Sequence, residues 1–162
     1  MNSKLVMGFA VLLFLLLGAG LPAAYAAPPA ACSLLTEAQV STVLGISVKG
    51  EPASPDDKTL CAWPPSSPLN KKGVVLHIVG PMGTLTPVQQ FDAIKTPLPV
   101  KGITKIPVSG LGDDAVYGGN RFMTELTVKK GSFVFQIRVY GFPMEDIKAK
   151  EKKLAQEVLA KL

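Results

Sequence analysis

From residue 122 to residue 139 the chain alternates between apolar and polar side chains. Phe122, Thr124, Leu126 and Val128 take every second position, and Phe133, Phe135, Ile137 and Val139 do so again after Lys129-Lys130-Gly131-Ser132. A period of two sends successive side chains to opposite faces of a strand, and a short glycine-containing polar break between two such runs is a hairpin turn. The pattern predicts one apolar face and a second carrying Glu125, Thr127, Gln136 and Arg138. An apolar sheet face must be covered. The last segment, from about Met144 to Leu162, is the expected cover, because Ile147, Leu154, Val158 and Leu162 fall on one helical stripe in which Glu151 is the blemish. Asp146 with Lys150 and Glu157 with Lys161 have the acid-before-base spacing that lets them pair on a helix surface.

The rest of the chain supplies shorter elements. Thr36 and Gln39 form a T-x-x-Q capping box, Leu35 and Val40 its hydrophobic staple, and Gly45 ends the helix they begin. A brief strand is expected over 46–48. The stretch 49–59, with Pro52, Pro55 and Asp56-Asp57, is expected to be an exposed loop. A strand over 60–63 follows, then a proline-rich loop over 64–72 and a buried β-branched strand over 73–80. Thr86 before Pro87 announces a second helix to about Lys95, with Val88, Phe91 and Ile94 on one face. The run 103–108 is expected at a sheet edge, since Pro107 cannot donate to a ladder. A short strand over 115–117 precedes Gly118-Gly119-Asn120. Hairpin connections dominate, so the expected fold class is α+β, an antiparallel sheet packed by helices.

The amino terminus constrains location. Lys4 precedes an uncharged apolar run from Leu5 to Leu17, and Ala24-Tyr25-Ala26 is an A-x-A cleavage pattern, so residues 1–26 are expected to be a secretory signal peptide. Gly18, Gly20 and Pro22 interrupt the run before it reaches the roughly 20 residues that a bilayer core requires. No stable membrane insertion is expected after cleavage. Residues 27–31 form an extended leader, and 32–162 are expected to be one domain, placed in the periplasm or secreted. The formal charge of +5 falls to +4 when Lys4 leaves, a mild excess that suits weak attraction to anionic envelope surfaces. Export argues against nucleic acid as a partner.

In an oxidising compartment, Cys32 and Cys61 are expected to form a structural disulfide worth roughly 3 kcal/mol. A redox pair would favour a C-x-x-C spacing. The other alternative is lipidation of Cys32, against which stands Pro29 where an aliphatic residue would be expected.

Cys32-Ser-Leu-Leu-Thr36, Val40, Leu44-Gly45, Cys61-Ala-Trp63, Val108-Ser-Gly-Leu-Gly-Asp113, Ala115, Tyr117, Leu126-Thr-Val-Lys-Lys-Gly131 and a closing Ala/Leu/Lys helix make up a further pattern. In order and spacing it resembles small exported bacterial domains of unknown function, including actinobacterial lipoproteins. Some of these are similar to the PsbP-like fold, which implies an antiparallel sheet sandwiched by helices. The resemblance implies no activity.

Catalytic chemistry finds little to stand on. His77 is the sole histidine, set among apolar neighbours, and is expected on a sheet surface. No G-x-S-x-G elbow occurs, and Ser109 lacks the preceding glycine. Asp113-Asp114 after Gly110-x-Gly112 is expected to be a turn rather than a calcium or phosphate loop. Glu37, Asp92 and Glu125 are carboxylates from which a glycosidase pair could come, but the sequence places no two of them at the needed separation. Lys148, Lys150, Lys152 and Lys153 are expected on the wet side of the last helix. The expectation is therefore a non-enzymatic binding or interaction module of the bacterial envelope, without catalytic residues, metal or cofactor. Its partner would be an envelope protein, a glycan or a small ligand, with Trp63, Tyr117 and Tyr140 as candidate ligand contacts, although a lone tryptophan next to a half-cystine is more often a core plug. The alternatives are a protein inhibitor, acting through 49–59 or 64–72, and an envelope polysaccharide hydrolase.

Overall fold

The computed structural model describes residues 28–67, 69, 71–96 and 100–162. The expected signal peptide, 1–26, lies outside the described residues. Among the described residues, four helices and seven strands follow in the order α1 (Ala31–Leu34), α2 (Glu37–Leu44), β1 (Glu51–Ser54), β2 (Asp57–Trp63), β3 (Gly73–Ile78), α3 (Pro87–Lys95), β4 (Thr104–Pro107), β5 (Asp114–Gly119), β6 (Thr124–Lys130), β7 (Phe133–Tyr140) and α4 (Met144–Leu159). The strands form one antiparallel sheet in the order β1-β2-β3-β7-β6-β5-β4. This is the expected α+β class.

The helices begin where their side chains satisfy the first free N–H groups. In α2, Thr36 Oγ1 accepts from Gln39 N–H at 3.2 Å and Gln39 Oε1 accepts from Thr36 N–H at 2.9 Å. Thr86 and Gln89 build a second capping box on α3, ahead of Pro87 at its first position. The sheet alternates as its sequence dictates. Leu126, Val128, Phe135, Ile137 and Val139 point into the principal core, where α1, α2 and α4 bury Leu34, Val40, Leu154 and Val158 against them. On the second face α3 covers one region only, with Phe91 fully buried against Val79, Val116 and Val134.

Six local expectations are corrected. The extended leader expected over 27–31 ends before Ala31, which opens α1 and is fully buried in the core. The strand over 46–48 reduces to a single bridge, Val48 with Pro65, because Pro65 has no N–H with which to continue a ladder. The loop over 49–59 is largely the hairpin of β1 and β2, with Pro52 opposite Cys61, since an edge strand tolerates proline. Phe122 precedes β6 and is 73% exposed, so the buried alternation starts at Thr124. Leu162 lies beyond α4 and is exposed. The lysines expected to pair within α4 reach main-chain carbonyls instead. Lys150 Nζ donates to Val43 O at 3.0 Å, joining α4 to the last turn of α2, and Lys161 Nζ, just past the end of α4, donates to Ser33 O of α1 at 3.2 Å. Glu157 accepts from Gln39 Nε2 at 2.6 Å.

Candidate functional site

The disulfide links Cys32 in α1 to Cys61 in β2, with 5.1 Å between Cα atoms. That bond occupies the Cys32 sulfur on which lipidation would act. The three aromatic residues expected as ligand contacts do not converge. Trp63 is 1% exposed in the principal core, so its ring offers no surface to a ligand. A Cβ on Gly50 would come within 2.5 Å of Trp63 Nε1, so only glycine lets the chain pass so close. Tyr140 is on the second face, half-buried at the end of β7 opposite Gly73, and burial raises its phenol pKa. Tyr117 alone of the three lines a cleft described here.

That cleft arises from unequal cover. Helix α4 packs on β6 and β7 and reaches Tyr117 of β5, whose core-side residues Ala115 and Tyr117 are buried, whereas none of the described helices covers the core side of β4 at the sheet edge. The resulting space is about 340 Å³. Ile106, Tyr117 and Met144 give it apolar walls, Thr124 a hydroxyl, and Arg121 and Lys148 two cations; among the described residues no acidic side chain lines it. Tyr117 O–H donates to Lys148 O at 2.7 Å, fixing the ring against α4. Burial, aided by the charge of Glu151, pushes its pKa up to about 12, so Tyr117 remains a neutral donor.

Glu151, the blemish in the apolar stripe, is 0% exposed. Val139 N–H donates to its Oε1 at 3.1 Å, and its Oε2 has no hydrogen-bond partner among the described residues. Burial raises its pKa to about 8, outweighing the hydrogen bond from Val139. At neutral pH the group is therefore chiefly a neutral carboxylic acid.

The second face carries a different hollow, of about 230 Å³, lined by Leu60, Val75, His77, Glu125, Gln136 and Arg138. Its polar groups bind one another. His77 Nδ1 lies 3.1 Å from Gln136 Oε1, Gln136 Nε2 is 3.5 Å from Thr127 Oγ1, and Arg138 pairs with Glu125 at 2.6 Å. Glu37 accepts from Gly50 N–H on the other side of the sheet, and Asp92 belongs to α3, so the structure does not gather Glu37 and Glu125 into one carboxylate pair. Asp113 accepts from Gly131 N–H at 2.6 Å and Asp114 pairs with Lys95, as turn and surface acids do. Among the described residues, no group of three His, Cys, Asp or Glu is placed to hold a metal ion. None of their helices is long and apolar enough to cross a membrane.

Arg121, Met144 and Ile106 were not among the residues singled out by sequence. Their one legible signal was the Arg121-Phe122-Met123 run directly after Gly118-Gly119-Asn120, an apolar and cationic tip on a turn, which the strand alternation absorbed. Comparison with family models, curated proteins and solved structures finds no match.

Proposed function

We propose that this chain is an exported, non-enzymatic binding module of the bacterial envelope, and that it seats a small ligand with an apolar body and an anionic end in the cleft between α4 and β4. The observation that carries this reading is the composition of the cleft: apolar walls from Ile106, Tyr117 and Met144, and Arg121 and Lys148 as its charged groups. Ligand sites are concave, mostly apolar and furnished with a few oriented polar groups, and this volume lies at the lower end of their range. The signal-peptide pattern and the resemblance to small exported domains support the envelope setting.

Dodecanoate is a suitable first ligand, titrated by calorimetry into the chain beginning at Ala27. Saturable binding is expected in the wild type, with loss in Met144→Trp, which fills the cleft, and about tenfold weaker binding in Arg121→Gln. Binding that Met144→Trp leaves unchanged would refute the assignment.

A further inference from the structure

Beside the cleft, the fold carries a second feature that the cleft does not explain. Nine large apolar side chains are exposed among the described residues, and five of them belong to two neighbouring segments: Val100, Ile103 and Ile106, and Phe122 and Met123. Pairing of Thr104 with Gly119, and of Gly119 with Thr124, brings these segments together at the end of the sheet. Between them is a shallow hollow of about 480 Å³, lined by Lys101, Ile103, Arg121 and Phe122 among others. Every charged side chain in 100–106 and 119–124 is basic, namely Lys101, Lys105 and Arg121.

The tip is also held in place. Asn120 Oδ1 accepts from Phe122 N–H at 2.8 Å and from Met123 N–H at 3.1 Å, and Asn120 N–H donates to Met123 O at 2.9 Å. A Cβ on Gly119 would lie 2.1 Å from Met123 O, so the turn closes more tightly than another residue would allow. Phe122 is thus presented to solvent by a braced turn, with Arg121 over its ring at 4.4 Å. Isolated exposed apolar residues are ordinary, whereas a contiguous apolar patch interleaved with cations has the composition of a surface that meets anionic lipid.

We infer that the β4 edge and the β5–β6 turn form a docking surface for an anionic lipid leaflet, with Phe122 and Met123 entering the headgroup boundary and Lys101 and Arg121 facing lipid phosphates. Charge complementarity selects the occupant: the two segments contain three cations and no acid. Apolar contact and electrostatic attraction then act together, each lysine or arginine adding about fivefold to partitioning near such a surface. The surface shares Arg121 and Ile106 with the cleft, but the inference does not depend on a ligand seated there.

The test is co-sedimentation of the chain beginning at Ala27 with vesicles of equal parts phosphatidylglycerol and phosphatidylcholine, and with vesicles of phosphatidylcholine alone. Binding is expected to the anionic vesicles only, weakening as salt is raised. Phe122→Ser with Met123→Ser, both at exposed positions, is expected to lower partitioning at least about tenfold. The Lys101→Glu, Arg121→Glu pair is expected to abolish it, while Met144→Trp leaves it intact. Glycerol phosphate should not compete, which separates a leaflet from a free phosphate. Equal binding to both vesicle types, no binding to either, competition by glycerol phosphate, or full binding by the Phe122 and Met123 variant would each overturn the inference. Loss of dodecanoate binding with retained vesicle binding would count against the cleft alone.

Discussion

Both faces of the sheet have a region that none of the described helices covers, and the two regions differ in chemistry. On the second face, beyond the reach of α3, the bare surface is polar and its groups satisfy one another: His77 with Gln136, and Arg138 with Glu125. On the principal face, beyond the reach of α4, the bare surface is apolar with basic side chains and no acid among its lining residues. A self-paired polar surface needs nothing further from a partner. Apolar area left in contact with water costs about 25 cal/mol per Å², and cations without opposing carboxylates favour an anion, so the second kind of gap gains from being filled.

The contrast between covered and bare regions can be broken most forcefully at the phenylalanines. Phe91 is 0% exposed beneath α3, and Phe91→Ala is expected to cost about 3–5 kcal/mol in urea unfolding. Phe122→Ala, at a residue 73% exposed, should stay within about 0.5 kcal/mol of wild type. Similar losses at both sites would mean that Phe122 serves packing rather than recognition.

A smaller effect is expected at Glu151, the polar group in the covered region. Its carboxyl is raised from 4.5 to about 8 in the folded chain, so between those values the native state retains a proton that the unfolded chain has released. Stability contributed by this site is therefore greatest below pH 4.5 and falls as pH rises towards 8. Glu151→Gln removes that slope while keeping an acceptor for Val139 N–H, and above pH 8 it should be more stable than wild type by about 1–3 kcal/mol. Parallel stability–pH curves for the two proteins would contradict the burial argument.

The smallest effect belongs to the bare polar region. The Arg138–Glu125 pair is partly exposed, so a double-mutant cycle with alanine at both positions should return a coupling of about 0.2–1 kcal/mol. A much larger coupling would show that this face is under tighter constraint than its exposure suggests.

What was legible in the sequence follows the same division. The elements governed by local chemistry were readable: the Thr36–Gln39 cap, Pro87 opening α3, the alternation from Thr124 to Val139, and Pro107 marking an edge strand. Glu151 stood out as an exception to its stripe, but its partner is a main-chain N–H of β7, which only tertiary packing supplies. Pro52 misled because a residue that breaks an inner strand is acceptable on an outer one. Trp63 could be read as a core plug or as a ligand contact, because an aromatic ring serves either, and its burial with Gly50 against the indole decides for the core. The cleft was the least legible feature. It depends on where α4 stops relative to β4, a distance across the fold that no local pattern encodes.

The bare end of the principal face as the ligand seat is the central claim, and amide chemical-shift mapping during a dodecanoate titration tests it most directly. The account predicts shifts concentrated at Gly102, Tyr117, Thr124 and Met144, with His77, Gln136 and Arg138 unmoved. Shifts centred on His77 and Arg138, or spread without focus over both faces, would contradict it.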